Sequence, residues 1–274
     1  MTRHETFSTP GPVALDLRIP AGEIAVEAAT GLTETSVELE ALHGDGAEEL
    51  VQATRIECRP GRDGPSEVVV DVPDKRRFGI FGDTAEVRLI LRCPEGARLG
   101  VRAASADLQA RGRFLAADVQ TASGDAEVDE VDGEVRAKAA SGDLTFRRIG
   151  QGRLDAASGD VEVGRLEGEG RIRTASGDVT VDVAESSLEV STASGDQRID
   201  EVASGRVTLK SASGDLRVGV RRGVAVWVDA TSMSGGTTSD LDLGAEPSGA
   251  EGPTVEVKAT TMSGDVQIVR AGAR

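Results

Sequence analysis

The chain of 274 residues is acidic, with 47 Asp plus Glu against 31 Lys plus Arg and a formal net charge of −16. No Lys/Arg cluster or aromatic ladder runs through it that can track a phosphate backbone, so nucleic acid is not an expected partner. Aromatic residues make up 2% of the chain, with no Tyr and the single Trp227, which weakens carbohydrate binding because sugar clefts usually rest on flat aromatic faces.

From Met1 to Pro20 there is no apolar run of signal-peptide length, and nothing later approaches the ~20 residues that span a bilayer. The expected address is therefore the cytoplasm. From Val13 to Val101 the chain reads as strands with alternating apolar and polar residues, such as Val13–Leu17, Ile24–Ala28, Val37–Ala41, Val68–Val72 and Ala85–Leu91. No stretch here holds a helical period, and His43–Glu49, rich in Gly and acids, reads as a solvated excursion. Cys58 and Cys93 lie far apart without CxxC spacing, which favours reduced, buried thiols over a metal or redox site.

The segment Pro73–Gly82 stands out because it concentrates three basic residues and two of the five Phe in an acidic, aromatic-poor chain. Phe78, Ile80 and Phe81 either fold back to plug the open end of an apolar core or form an exposed contact loop.

From Ala104 to Asp265 the tetrapeptide Ala/Met-Ser-Gly-Asp recurs. Its serines are Ser105, Ser123, Ser141, Ser158, Ser176, Ser194, Ser213, Ser234 and Ser263, with Ala106 in place of Gly in the first copy and Gly236 in place of Asp after Ser234, and with steps of 18, 18, 17, 18, 18, 19, 21 and 29 residues. One period kept over so many steps means one structural unit stacked on copies of itself. Fully extended, such a unit would reach ~60 Å, so the path must fold back within each period and place equivalent residues ~4.8 Å apart in neighbouring coils. The expected fold is all-β: a parallel β-solenoid, or single-stranded β-helix, of ~18-residue coils with Ala-Ser-Gly-Asp corners. Residues 1–100 read as degenerate N-terminal coils and a cap with longer loops, and residues 101–274 as the regular solenoid, in one continuous domain. Val128, Phe146, Val163, Val181, Ile199, Val218 and Ile268 form one expected apolar column. Ala126, Leu144, Val161, Val179, Leu216 and Val266 form another, with Gln197 as its exception.

In the corner, Gly suits a backbone with positive φ, while Ser and Asp side chains can bond neighbouring N–H groups. Stacking would bring Asp107, Asp125, Asp143, Asp160, Asp178, Asp196 and Asp215 into one file, each neighbouring pair repelling by ~0.9 kcal/mol in water. Asp125, Asp143, Asp160, Asp178, Asp196 and Asp215 are thus candidates to take up divalent cations between coils. Against that, the Gly-Gly-x-Gly-x-Asp nonapeptide of calcium-binding β-rolls and the EF-hand loop are both missing, so no metal or other cofactor is expected. An enzyme on such a scaffold needs a break in the repeat where non-repeating acids and bases converge, and none is visible. His4 and His43 read as surface residues. Trp227 breaks the small-aliphatic rule near the longest insertions, either closing the end of the core or serving as a ligand platform.

The repeated Ala-Ser-Gly-Asp-apolar-x-apolar corner, preceded by degenerate Gly-x-apolar strands, resembles the adhesin-like bacterial β-strand-repeat family filed as domain of unknown function 4097. The resemblance runs from about Val13 to Val269. It implies a β-solenoid without established catalytic residues and, in some relatives, a link to envelope-stress sensing. The combined expectation is a non-enzymatic structural or protein-interaction scaffold that docks an unidentified protein partner on its outer faces. A carbohydrate-active or carbohydrate-binding β-helix and a cation-binding solenoid are the alternatives. Because Met262–Arg270 ends the chain without a helix or Pro-rich cap, its coil is expected to offer unpaired backbone groups and to support weak, salt-promoted homo-association through the solenoid ends.

Overall fold

The computed structural model describes residues 1–61, 64–74, 85–241 and 254–272. Phe78, Ile80 and Phe81 lie outside the described residues. The chain is all-β with a β-solenoid-like fold, and it divides into two compact units, Met1–Asp143 and Leu144–Arg274.

The first unit holds β1 (Thr2–Ser8), β2 (Val13–Ala29), β3 (Glu34–His43), helix α1 (Ala47–Ala53), β4 (Arg55–Arg59), β5 (Ser66–Asp71), β6 (Glu86–Pro94), β7 (Ala97–Thr121) and β8 (Ala126–Ala139). The long strand β2 is its spine. It runs parallel to β5 through Val13–Arg18, to β6 through Gly22–Ala29 and to β7 from Ala14 to Ala28, and β7 runs parallel to β8. Alternation along β2 sends Val13, Leu15, Leu17 and Ile19 into the core, and after a one-residue shift of phase at Gly22, whose φ is 121°, it sends Ile24 and Val26 there.

Two expectations for this region are corrected. The strands are not all parallel coils: β1 pairs β3, β3 pairs β6 and β4 pairs β5, each antiparallel. Alternation of apolar and polar residues has the same period for either strand direction, so it carries no information about which occurs. Nor is the excursion after His43 wholly solvated. Ala47, Leu50 and Val51 are buried along one face of α1, at the i, i+3, i+4 spacing of a helix. A helix of seven residues is too short for that period to rise above the surrounding Gly and acids.

The second unit is built from β9 (Leu144–Ser158), β10 (Val161–Leu166), β11 (Gly170–Ser176), β12 (Val179–Ala184), β13 (Leu188–Ser194), β14 (Gln197–Val202), β15 (Gly205–Ser213), β16 (Leu216–Val220), β17 (Ala225–Ser234), β18 (Thr237–Ser239), β19 (Thr254–Ser263) and β20 (Val266–Arg270). Among the described residues every strand pairing of this unit is parallel. One stack runs β9, β11, β13, β15 and a second runs β9, β10, β12, β14, β16. The register aligns Phe146, Val163, Val181, Ile199 and Val218 in one buried column and Leu144, Val161, Val179, Gln197 and Leu216 in another, as the sequence pattern predicts. β-Branched side chains suit this setting because they pack well on a pleated, buried face.

The end of the stack departs from chain order. β15 pairs not with β17 but with β19, and β17 then pairs with the far side of β19; likewise β16 pairs with β20, which pairs with β18. The last strands of the chain are therefore inserted between the two preceding coils, aligning Ser213, Ser263 and Ser234 in that order. The expectation that Met262–Arg270 forms the uncovered end is wrong. Among the described residues, that place belongs to β17 and β18.

Candidate functional site

The repeated corner carries most of the regular polar chemistry of the chain, and it lies between one strand's Ser and the next strand's first apolar residue. In the second unit the backbone N–H of Asp178 donates to Asp160 Oδ1 at 2.8 Å, that of Asp196 to Asp178 Oδ1 at 2.8 Å and that of Asp215 to Asp196 Oδ1 at 2.8 Å. The series continues with Asp265 N–H to Asp215 Oδ1 at 2.7 Å and ends with Gly236 N–H to Asp265 Oδ1 at 2.8 Å. In the first unit the same bond links Asp125 to Asp107 at 3.0 Å and Asp143 to Asp125 at 2.9 Å. Each of these acceptor carboxylates thus takes an N–H from the adjacent corner.

Flanking backbone bonds complete the stitch. Gly177 N–H donates to Ser194 O at 3.2 Å, Gly195 N–H to Ser213 O at 3.0 Å and Val179 N–H to Asp196 O at 2.9 Å. A hydrogen bond to a charged acceptor at an exposed position contributes about 1 kcal/mol, enough to offset a repulsion of ~0.9 kcal/mol between neighbouring carboxylates. The electrostatic strain of a stacked acidic file is thereby relieved within the corner itself.

Glycine is required here for two reasons. Gly177 holds φ at 138°, a region that side chains rarely enter, and a Cβ on it would lie 2.1 Å from Gly159 O of the adjacent corner. Behind the corner runs a column of hydroxyls, Thr174, Thr192, Ser211, Thr261 and Ser232 in spatial order. Thr192 Oγ1 donates to Ser211 Oγ at 3.1 Å, and Gln197 Nε2 donates to Thr192 Oγ1 at 2.8 Å and to Lys210 O at 2.7 Å. Gln197, the polar exception in an apolar column, is therefore placed where its amide can be used. Its Oε1 and Thr174 Oγ1 are buried without a hydrogen-bond partner.

The outer faces carry ion pairs that bridge neighbouring strands. Arg171 pairs with Glu189, Arg206 with Glu256 at 2.7 Å, and Lys258 with Asp229 at 3.5 Å. At the opposite bend Arg221 binds Glu185 at 3.1 Å and Glu201 at 2.6 Å, and Arg165 also reaches Glu185. The Arg221 hydrogen bond is the main reason the Glu185 carboxyl is held below the usual carboxylate range. Such half-exposed pairs contribute at most about 1 kcal/mol each, so they shape the surface more than they hold the fold.

Other sequence candidates are dispersed. Trp227 lies on the outward side of β17, in register with Glu256, and is 55% exposed, so it does not close the core. The adjacent positions in β17, Val226 and Val228, are the ones that point inward, because side chains alternate between faces of a strand. His4 and His43 are both exposed. Cys58 and Cys93 are free; Cys93 is fully buried, and its desolvation pushes the thiol up to about 12. Among the described residues no group of three or more His, Cys, Asp or Glu is arranged to hold a metal ion. A groove of about 310 Å³ on the first unit is lined by Ala25, Glu27, Ile90, Arg92, Gln109 and Arg111, with Glu27 and Arg92 paired at 2.9 Å. No helix among the described residues is long and apolar enough to cross a membrane.

Comparison with solved structures finds proteins of the same extent and low identity. A putative adhesin from Parabacteroides distasonis is 12% identical, with 97% of each chain covered and a TM-score of 0.45. A putative adhesin from Bacteroides fragilis is 9% identical over 98% of this chain and 97% of its own, with a TM-score of 0.42. A putative cell adhesion protein from Clostridium sporogenes is 12% identical over 98% of this chain and all of its own, with a TM-score of 0.27. No curated protein matches the chain at a significant level. The profile of the Toastrack family, DUF4097, matches residues 14–169 and again 157–269, and the chain belongs to that family.

Proposed function

We propose that the protein is a non-enzymatic, adhesin-like scaffold that docks a protein partner on the outer faces of its stacked parallel strands. The observation that carries this reading is the commitment of the corner carboxylates: the most regular acidic groups of the chain are used to join one coil to the next. A coil of about 18 residues turning at Ser-Gly-Asp is the unit of the scaffold, supported by the registers Val161 to Val179 and Val179 to Gln197. Repetition then presents equivalent outward side chains at ~4.8 Å intervals, the kind of extended ridged surface that repeat proteins use for binding.

The test uses the intact protein, immobilised and presented with native lysate and, separately, with a panel of glycans. A defined protein should be retained, and charge reversal at outward positions such as Arg171 and Arg206 should release it while leaving the circular dichroism spectrum unchanged. Turnover of any glycan by the unmodified protein, with no protein retained, would overturn the reading.

A further inference from the structure

The outermost described strands of the second unit differ in chemistry from those they stack on. The stretch Ala157–Thr174 carries seven charged residues, whereas Val224–Leu241, of the same length, carries two, Asp229 and Asp240. Asp229 is paired with Lys258 at 3.5 Å, and Asp240 Oδ1 accepts the N–H of Arg270 at 2.8 Å. The corner of this stretch is Ser234-Gly235-Gly236, so its Gly236 N–H donates to Asp265 Oδ1 but it has no carboxylate to accept an N–H from a further corner.

Apolar groups are exposed where charge is depleted. Trp227 is 55% and Met233 76% exposed on β17, and Met262, at 57%, lies beside Met233 on β19. Val226, Val228 and Ala230 are in register with the buried Val255, Val257 and Ala259, yet they are only half-buried themselves. Among the described residues, β17 pairs with β19 alone and β18 with β20 alone, which leaves one side of each without a strand partner. An edge of this kind, whose one charged residue on β17, Asp229, is already paired with Lys258 and which carries no Pro, is a template for another strand.

We infer that this edge is a self-association surface, in which β17 of one copy pairs antiparallel with β17 of a second copy about a two-fold axis at Ala230. The register follows from the side chains. Directly opposed residues in an antiparallel pair share a face and successive residues alternate faces, so a two-fold axis normal to the sheet must pass midway between one residue and its own copy. With Ala230 on the axis, Trp227 of each copy meets Met233 of the other, an aromatic and sulfur contact of a favourable kind. Asp229 then faces Thr231. Moving the axis to Asp229 would set two carboxylates against each other, and moving it to Thr231 would leave Trp227 opposite Gly235. Continued parallel stacking of a copy on the edge is disfavoured by Gly236, which offers no carboxylate to the next corner. The resulting dimer is closed rather than a filament.

The whole chain bears a charge of −16, so long-range repulsion opposes dimerisation at low salt and is screened at higher salt. Sedimentation velocity on the full chain, from roughly 10 to 200 µM, should show a dimer whose share rises with concentration. The share should also rise as salt is increased to about 0.5 M. Trp227→Lys, at an exposed outward position, should weaken dimerisation at least about ten-fold with an unchanged circular dichroism spectrum. Ala230→Cys should form a disulfide-linked dimer in oxidised glutathione, because opposed Cα atoms of an antiparallel pair lie within about 5.5 Å. The unmodified chain, with Cys93 buried and Cys58 half-buried, serves as the control for any cross-link through its own thiols. A monomer under every condition overturns the inference. So does a dimer that is indifferent to Trp227→Lys and gives no cross-link with Ala230→Cys, since the contact would then lie elsewhere.

Discussion

Replacing Gly177 with Val tests the corner as a stacking device. The substitution meets two obstacles that can be weighed separately. Forcing a β-branched residue to a φ of 138° costs on the order of 1 to 3 kcal/mol. The new Cβ would also sit 2.1 Å from Gly159 O, and relieving that overlap means parting the corners. Two bonds cross that gap, Gly159 N–H to Ser176 O at 3.1 Å and Asp178 N–H to Asp160 Oδ1 at 2.8 Å. Losing both adds about 2 kcal/mol, for a total of roughly 3 to 5 kcal/mol. Gly223 supplies the control: its φ is 79°, and a Cβ there meets nothing within 4 Å, so Gly223→Val carries only the conformational cost. Urea unfolding followed by circular dichroism at 25 °C measures both. The reasoning is refuted if Gly177→Val is no more destabilising than Gly223→Val.

Three further outcomes follow from the same geometry. Asp178→Asn keeps a side-chain oxygen for the N–H of Asp196 while removing one charge from the file, so thermal unfolding should move by less than about 1 kcal/mol or shift slightly upward; Asp178→Ala should instead lose about 1 kcal/mol. Glu185 titrates below its ordinary value of 4.5 because Arg221 bonds its charged form; that contribution is present above 4.5 and is lost as pH falls through the lower folded value. Glu185→Gln should therefore flatten the acid side of the stability profile by a small amount, less than about 1 kcal/mol for so exposed a pair. A thiol reagent at neutral pH should modify Cys58 in the folded protein and Cys93 only on unfolding, since Cys93 is fully buried with its thiol raised to about 12. Rapid modification of both thiols in the native state would contradict that placement.

The inner columns are legible in the sequence because each copy of the repeat places its apolar residues at the same distance from the corner, as Val161 and Val163 or Val179 and Val181 do. The acceptor role of Asp can be anticipated in kind, but sequence alone does not say whether its carboxylate bonds its own turn or the next one. It bonds the next one. The insertion of β19 between β15 and β17 is hidden because all three carry the same alternation of residues ahead of a Ser-Gly corner, a pattern that lets any of them stack on any other. What distinguishes them is Gly236: only a corner retaining its carboxylate, as Asp265 does, can both donate its N–H to Asp215 and accept one from the next corner. The helix α1 is hidden by its length, and the antiparallel strands by a period that does not encode direction. The bulk of Trp227 suggests a residue closing the core, whereas its position in the alternation of β17 places it outward.

The central claim is that the Ser-Gly-Asp file joins coil to coil and does not bind a cation. Melting curves of the unmodified protein in calcium, in magnesium and in chelator test it most directly, because a ligand that binds only the folded state must raise its melting temperature. The curves should superimpose. A rise of several degrees in millimolar calcium, abolished by Asp178→Asn, would contradict the claim.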